Sequence, residues 1–206
     1  MIIGVTGGLG TGTSTVARCL ASGLKAKLID ADKIARNQVS KNASLVKQIV
    51  SGLGKELLDY KGNIDRTKLA KKAFANRYNH KKLCDITYPV IITEIDNIRR
   101  ENDRIGISDS VVDAPMLIES GFYKKCDLLV VVTSSLALQL ERAWVKKKIR
   151  NKDALSRVRL QMDIHKKKKY ADYVIDNSST LAELREKCRE IISELKIKNK
   201  EKIKWL

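Results

Sequence analysis

The amino-acid sequence predicts an α/β fold with a doubly wound, parallel, five-stranded sheet. Short apolar runs rich in β-branched residues recur along the chain, and most of them are continuous rather than alternating. Such runs are typical of strands that helices cover on both faces of a parallel sheet. Helical stretches separate most of these runs, and strands that alternate with helices favour the doubly wound arrangement.

The order of the elements follows from these runs. The predicted strands are Ile2–Thr6, Ala26–Ile29, Val111–Asp113, Leu128–Thr133 and Tyr173–Ile175. The predicted helices are Ser14–Leu24, Ala137–Lys147, Asp153–Met162 and Leu181–Leu195. Strands and helices do not alternate in the interval 33–104, which is polar and helical. We expect a helical lobe there, between the second and third strands. The core then comprises about 1–32, 105–142 and 170–195.

Size and composition predict one folded domain. The chain has 206 residues, and 43% of them are hydrophobic. No apolar run reaches the roughly 20 residues that a membrane helix needs, so we expect no membrane contact and a cytoplasmic location. The four cysteines are far apart and form no Cys-x-x-Cys pair, so we expect neither a metal cluster nor a disulfide framework.

The formal net charge of +17 admits three interpretations: nucleic-acid binding, anionic small substrates, or a lysine-rich solvated surface. Few aromatic residues lie among the basic runs, so a stacking platform for single strands is not evident. We therefore expect no nucleic-acid partner. The sequence does not fix the oligomeric state, and we expect a monomer or a weak oligomer.

A glycine-rich segment directly follows the first predicted strand. Gly7, Gly12 and Ser14 fit the phosphate-binding pattern Gly-x-x-x-x-Gly-Lys-Ser/Thr between a strand and a helix. Glycine lets the backbone turn with its N–H groups facing inward, where they form an anion cradle with the helix N-terminus. Ser14 holds the position of the magnesium-binding hydroxyl. The predicted nucleotide-binding residues are Gly7, Gly8, Leu9, Gly10, Thr11, Gly12, Thr13, Ser14 and Thr15.

The lysine of this pattern is missing, and Thr13 stands in its place. That lysine normally reaches the β- and γ-phosphates, whereas threonine is shorter and carries no charge. Either another cation replaces it, or catalysis is weak, or the protein binds nucleotide without turnover. The candidate replacements are Lys33, Arg36 and the lysines of a later basic segment, among them Lys146 and Lys148.

Carboxylates follow two of the predicted strands. Asp30 and Asp32 come after the second strand, and Asp113 ends the third. In an open parallel sheet, ligands bind outside the carboxyl ends of the strands, so these acids should face the phosphate loop. One of them can accept a proton from a hydroxyl during phosphoryl transfer, and Asp113 can hold Mg²⁺ or substrate. The alternatives are a helix N-cap and a turn-capping aspartate.

A basic segment at about 143–169 predicts a helical lid, and we call it the lid segment. A lid that closes over a triphosphate needs cations to bind phosphate oxygens and exclude water. Arg142 directly precedes the segment, and Arg157 and Lys166–Lys169 lie within it. A solvated helix face explains about half of its cations equally well. Asn177 follows the last strand and either lines the adenine pocket or forms a turn.

Several short motifs occur in order along nearly the whole chain. They are Thr6–Gly8, Ile29–Asp32, Ile34–Arg36, Gly62–Arg66 with Leu69, Asp113–Leu117, Gln139–Arg142 and Ala171–Asn177. In order and spacing this set resembles the dephospho-CoA kinase family. The resemblance implies a P-loop NTPase-type core, a helical substrate lobe, a lid, and ATP-dependent phosphorylation of the ribose 3′-hydroxyl of dephospho-CoA, the last step of coenzyme A synthesis.

The same resemblance implies roles for individual residues. Asp32 looks like the catalytic base, Arg142 matches a catalytic arginine, and Arg36 resembles a substrate contact. Asp30, Asp113 and Tyr88 are the other predicted substrate contacts, and ATP and Mg²⁺ are the implied cofactors. The chain departs from the family at Thr13, and at Tyr88, where the family usually has histidine before Pro89.

Three other functions remain open from the sequence. A catalytically impaired nucleotide-binding relative is compatible with Thr13. Another P-loop kinase, acting on a different small-molecule hydroxyl, is compatible with the loop, although Asp30–Asp32 and Asp113–Pro115 favour the dephospho-CoA branch. Nucleic-acid binding depends on net charge alone.

Overall fold

The computed structural model describes residues 1–204, and within them five parallel strands form one sheet. The strands are β1 (Ile2–Gly7), β2 (Lys27–Asp30), β3 (Ser110–Asp113), β4 (Leu128–Thr133) and β5 (Tyr173–Asp176). Their order across the sheet is β2-β3-β1-β4-β5. The chain thus crosses to both sides of β1, which confirms the predicted doubly wound α/β fold.

Helices fill the intervals between strands. They are α1 (Thr13–Leu24), α2 (Ala31–Lys41), α3 (Ala43–Leu53), α4 (Arg66–Ala73), α5 (Arg77–Arg104), α6 (Leu136–Lys147), α7 (Asn151–Leu160), α8 (Ile164–Lys168) and α9 (Leu181–Lys204). The helices α2 to α5 lie between β2 and β3, and α6 to α8 lie between β4 and β5. Short 3-10 turns occur at Lys55–Leu57 and Phe122–Lys125.

The strand residues alternate between two apolar cores, one on each face of the sheet. Val5 and Val111 pack with α1 and α9, and Val112 and Val131 pack towards α2 and α5. Alternation follows from the two-residue repeat of a strand, and burial on both faces explains why the runs are continuously apolar. A third core within α2 to α5 includes Leu45, Ile49, Leu53, Leu57 and Leu69.

The strand register brings the predicted site residues to one edge of the sheet. Val5 of β1 lies opposite Asp113 of β3, and Asp113 lies opposite Asp30 of β2. On the other side, Gly7 lies opposite Val132 of β4. The phosphate loop and the strand-end acids therefore share the carboxyl edge of the sheet.

Candidate active site

The phosphate loop turns sharply between β1 and α1. Gly10 and Gly12 have φ angles of 76° and 96°, in the left-handed region that favours glycine. A Cβ at Gly12 would lie 2.2 Å from Asn177 Nδ2, so the loop leaves no room for a side chain there. Gly12 has no side chain with which to cap α1. The Thr15 N–H donates to the Gly12 carbonyl at 2.9 Å, and in residues 1–204 the N–H groups of Thr13 and Ser14 are left for an anion.

Asn177 fixes the loop from the side of β5. Its Nδ2 donates to the carbonyl of Thr11 at 2.8 Å, and its own carbonyl accepts from Arg142 Nη1 at 3.0 Å. Asn177 is buried. The structure thus places this predicted adenine-pocket residue against the backbone of the phosphate loop, where it also orients Arg142.

A cavity of about 390 Å³ lies beside the loop, and we call it the loop cavity. Its walls bring together most of the residues predicted from the sequence: Gly8, Leu9, Gly10, Gly12, Thr13, Ser14, Thr15, Asp32, Asp113 and Arg142. Cations from three helices complete it, namely Arg18, Lys146 and Arg157. The cavity therefore combines backbone donors, acids and guanidinium groups at one place.

Asp113 is the most buried acid of the loop cavity, with 6% of its surface exposed. Burial is the main cause of its raised pKa; Asp30 and Asp32 raise it further, while hydrogen bonds from the Ser14 and Thr13 hydroxyls lower it. Within residues 1–204, its Oδ1 atom has no hydrogen-bond partner. Such an orphaned, partly desolvated oxygen is suited to a cation or an ordered water.

The two acids after β2 take different roles. Asp30 accepts from the Lys33 N–H at 2.8 Å and caps α2, so the N-cap interpretation describes its carboxylate. It borders a separate cavity at the β2 edge, together with Lys33. Asp32 lies in the first turn of α2, is exposed, and lines the loop cavity.

A second cavity of about 250 Å³ lies between α2, α5 and the segment after β3, and we call it the α5 cavity. Its lining is largely apolar and includes Ile91, Ile95 and Phe122. The residues that line both cavities are Asp32, Phe74, His80, Pro115 and Met116. Asp32 is the acid common to the two.

Tyr88 reaches the α5 cavity from α5. Burial, and then the neighbouring Cys84 thiol, raises the pKa of Tyr88, so its phenol stays protonated. In the described part of the chain its hydroxyl has no nitrogen or oxygen partner. A buried hydroxyl left in this way can hydrogen-bond a ligand in the cavity.

The candidate replacements for the missing lysine are not all in the cavity. Lys146 lines the loop cavity. Lys148 instead lies over the ring of Trp144, 5.8 Å from its centroid, and Lys33 borders the separate cavity at the β2 edge. Arg36 is exposed one turn after Asp32 on α2, and its carbonyl accepts from Arg66. Arg157, by contrast, lines the loop cavity and is half-buried.

Lys167 is a residue whose role the sequence did not reveal. Although it lies in the exposed-looking run Lys166–Lys169, its side chain has 0% exposure and pairs with Glu119 at 3.0 Å. Its Nζ also donates to the carbonyls of Pro115 at 2.5 Å and Gly7 at 3.4 Å. Burial lowers the pKa of Lys167, and Glu119 opposes that change. The ammonium therefore joins the lid segment to the sheet edge rather than facing the loop cavity.

Gln161 is a second residue that sequence reasoning missed. It directly follows α7, and its Oε1 accepts from the Leu9 N–H of the phosphate loop at 3.0 Å. It also lines the loop cavity. Nothing in its local sequence signals this long-range contact.

In residues 1–204, no helix is both long enough and apolar enough to cross a membrane.

Comparison with known proteins gives a consistent result. The family model for dephospho-CoA kinase matches residues 1–183. The dephospho-CoA kinase of Aquifex aeolicus is 37% identical over 193 residues, covering 94% of this chain and 96% of that protein. The enzyme of Fusobacterium nucleatum is 38% identical over 185 residues, covering 89% of this chain and 93% of that protein.

Solved structures agree with these relatives. Dephospho-CoA kinase from Campylobacter jejuni superposes with a TM-score of 0.65 at 29% identity, covering 96% of this chain and 98% of that chain. A shikimate kinase from Acinetobacter baumannii gives a TM-score of 0.52 at 17% identity, covering 97% of this chain and 94% of that chain. The second likeness concerns the fold alone.

Proposed function

Because the chain belongs to the dephospho-CoA kinase family, whose members use ATP to phosphorylate dephospho-CoA, we propose that the two cavities divide this reaction between them. The loop cavity takes ATP, and the α5 cavity takes part of dephospho-CoA, with its ribose 3′-hydroxyl at the wall between them. Asp32 carries this assignment, since this residue lines both cavities. The relatives do not favour the impaired or alternative-substrate functions.

In the loop cavity, backbone N–H groups are the main donors to the phosphates of ATP. The N–H groups of the phosphate loop that do not bond to the protein itself, together with those of Thr13 and Ser14 at the start of α1, bind the phosphate oxygens. The residues present also fit Mg²⁺, because among residues 1–204 the Asp113 Oδ1 atom is buried without a hydrogen-bond partner, and Ser14 lines the same cavity. When bound, the ion offsets charge on the β- and γ-phosphates.

In the acceptor half, Asp32 acts as the general base. Its carboxylate accepts the proton of the ribose hydroxyl as the hydroxyl oxygen forms a bond to the γ-phosphorus. The bond from that phosphorus to the β–γ bridging oxygen breaks, and ADP leaves with the electron pair. Tyr88 and the apolar wall of the α5 cavity hold the acceptor in line. Asp30, whose carboxylate caps α2, keeps Asp32 at the head of that helix.

The charge of the missing lysine is supplied by arginines. Thr13 offers only a neutral hydroxyl at this position. Arg142 is held by the Asn177 carbonyl, and Arg157 lines the same cavity in a half-buried position. Guanidinium groups stay charged and bind phosphate oxygens with several N–H donors. We assign Arg157 as the main replacement, because it is half-buried and lines the loop cavity together with Asp32.

The experiment measures formation of 3′-phosphorylated product from ATP, Mg²⁺ and dephospho-CoA, with the product identified by ³¹P NMR. Asp32→Asn should lower kcat by about 10²–10⁴-fold, as expected for loss of a general base, while ATP affinity changes little. Asp30→Asn is the matched control, because asparagine also caps helices well. Equal losses in the two variants would contradict the assignment of Asp32 as base.

A further inference from the structure

Phe74 lies where the helical lobe meets the lid segment. It follows α4, and its N–H donates to the carbonyl of Ala70 at 3.0 Å, which continues the helical hydrogen bonding by one residue. The guanidinium carbon of Arg157 on α7 is 4.5 Å from the centroid of its ring. This distance is well inside the roughly 6 Å range of a cation–π contact.

Arg157 contacts this ring through its guanidinium group. Its Nε atom is buried and, among the described residues, has no hydrogen-bond partner. A ring face attracts the guanidinium as a whole but does not use its N–H donors, so the donors stay free for phosphate oxygens. Burial lowers the pKa of Arg157, and Asp153 and Asp32 oppose this, so the group keeps its charge beside the cavity.

The Phe74 ring is itself held from the lobe. The ring centroids of Phe74 and His80 are 5.5 Å apart with an interplanar angle of 36°, and His80 is buried with 9% exposure. Burial is the main cause of the lowered pKa of His80, with Glu119 raising it and Arg77 lowering it. His80 is therefore neutral at pH 7 and adds no second positive charge next to Arg157.

We propose that Phe74 is a positioning residue, which holds the Arg157 guanidinium over the loop cavity and thereby couples the acceptor lobe to the lid segment. The inference rests on the proposed function, in which Arg157 replaces the missing lysine. Phe74 and His80 line both cavities, so the acceptor in the α5 cavity and the nucleotide in the loop cavity share this wall. A shift of the helical lobe would move the Phe74 ring and, with it, the Arg157 guanidinium beside the phosphates.

The test is a double-mutant cycle on the full chain. Phe74→Leu removes the ring face at similar apolar character, Arg157→Ala removes the cation, and the double variant combines them. Phe74→Leu should lower kcat about tenfold, in the range of a desolvated cation–π contact. In the Arg157→Ala background, the same leucine substitution should change kcat by less than about twofold, because Phe74 acts through Arg157. Phe74→Tyr retains a ring and should keep most of the activity.

Phe122→Leu is the matched control, since Phe122 also lines the α5 cavity, while the cation over its ring is Lys125, 5.8 Å from the centroid. Its effect should be the same with and without Arg157. Thermal unfolding of each variant shows that it is folded, and Phe74→Met enters the same cycle if the leucine variant does not fold. The inference about Phe74 would be overturned if Phe74→Leu left kcat unchanged, or lowered it by a similar factor with Arg157 present and in the Arg157→Ala background. Either result would leave the proposed function itself intact. Absence of transfer by the unmodified protein would overturn the proposed function, and with it this inference.

Discussion

The phosphate loop and the α5 cavity are built from different parts of the chain in different ways. The loop is one continuous segment, residues 7–15, and it offers mainly backbone groups that glycine conformations orient. The α5 cavity is made of side chains from α2, α5 and the segment after β3, which are far apart in sequence. The first site therefore depends on local backbone geometry, and the second depends on tertiary packing.

The two regions meet at contacts that span the fold. Lys167 joins the lid segment to Gly7, Pro115 and Glu119, and Phe74 joins the lobe to Arg157. In the proposed reaction, such contacts would set the distance between nucleotide and acceptor. Substitutions there should affect the whole site, whereas substitutions within one cavity should affect one substrate.

The largest expected effect is at Lys167. Lys167→Met leaves the Glu119 carboxylate without its buried cation, and breaking a buried ion pair costs about 3–5 kcal/mol of unfolding free energy. Chemical denaturation measures this loss. Adding Glu119→Leu should recover much of it, because both charges are then gone. Lys81→Met breaks the exposed Lys81–Asp85 pair and should change stability little. A stable Lys167→Met protein would contradict the structural role.

Arg157 and Lys148 are a matched pair of lid cations, because Arg157 lines the loop cavity and Lys148 lies over the ring of Trp144. Arg157→Ala should lower kcat roughly 100-fold, since it removes a preorganised charge beside the phosphate loop. Lys148→Ala should have little effect, because that ammonium lies over Trp144. Steady-state kinetics with both substrates measure the two losses. Equal losses of kcat in Arg157→Ala and Lys148→Ala would indicate that the total positive charge of the lid segment matters, rather than the position of one cation.

Tyr88 tests the acceptor side alone. Tyr88→Phe removes a buried hydroxyl that lacks a nitrogen or oxygen partner in residues 1–204, so folding stability should not fall. The KM for dephospho-CoA should rise about five- to tenfold, as expected for one lost hydrogen bond, while the KM for ATP stays nearly constant. An unchanged acceptor KM would show that Tyr88 does not contact the substrate.

Substitution of Asp113 should have the smallest effect on stability, and it should raise stability where substitution of Lys167 lowers it. Its pKa is raised above the ordinary value of 3.8, so the folded state holds this proton more tightly than the unfolded state. Its stabilising contribution is present below pH 3.8 and is lost as the pH rises through the raised value. Asp113→Asn should therefore raise the unfolding midpoint of the free protein at pH 7, and the gain should disappear in acid. A lower midpoint at pH 7 would contradict this sign.

The sequence predicted the parts of the site that depend on local pattern. The strand runs, the glycine spacing of the loop and Asp32 after β2 lie where they were expected, because each is encoded within a few residues. The Asp30 carboxylate was open to two interpretations, and its contact with the Lys33 N–H is the helix-capping one.

The remaining parts could not be predicted because they depend on distant contacts. Lys167 lies among neighbouring lysines of similar appearance, and only the fold shows that it is the buried one. Phe74 and Arg157 are more than 80 residues apart, as their numbers show, and no motif links them. Periodicity predicts which face of an element is buried, but not which charged side chain finds a partner across the sheet edge.

Charge replacement at position 13 tests most directly whether arginine supplies the charge of the missing lysine. We would compare kcat for dephospho-CoA phosphorylation in the unmodified protein, Thr13→Lys, Arg157→Ala and the double variant. If arginine supplies the missing charge, the unmodified protein turns over, Thr13→Lys adds little to it, and the lysine restores a large part of the activity lost in Arg157→Ala. If only the proteins with lysine at position 13 turn over, the cations of the loop cavity, Arg157 among them, do not replace the missing lysine.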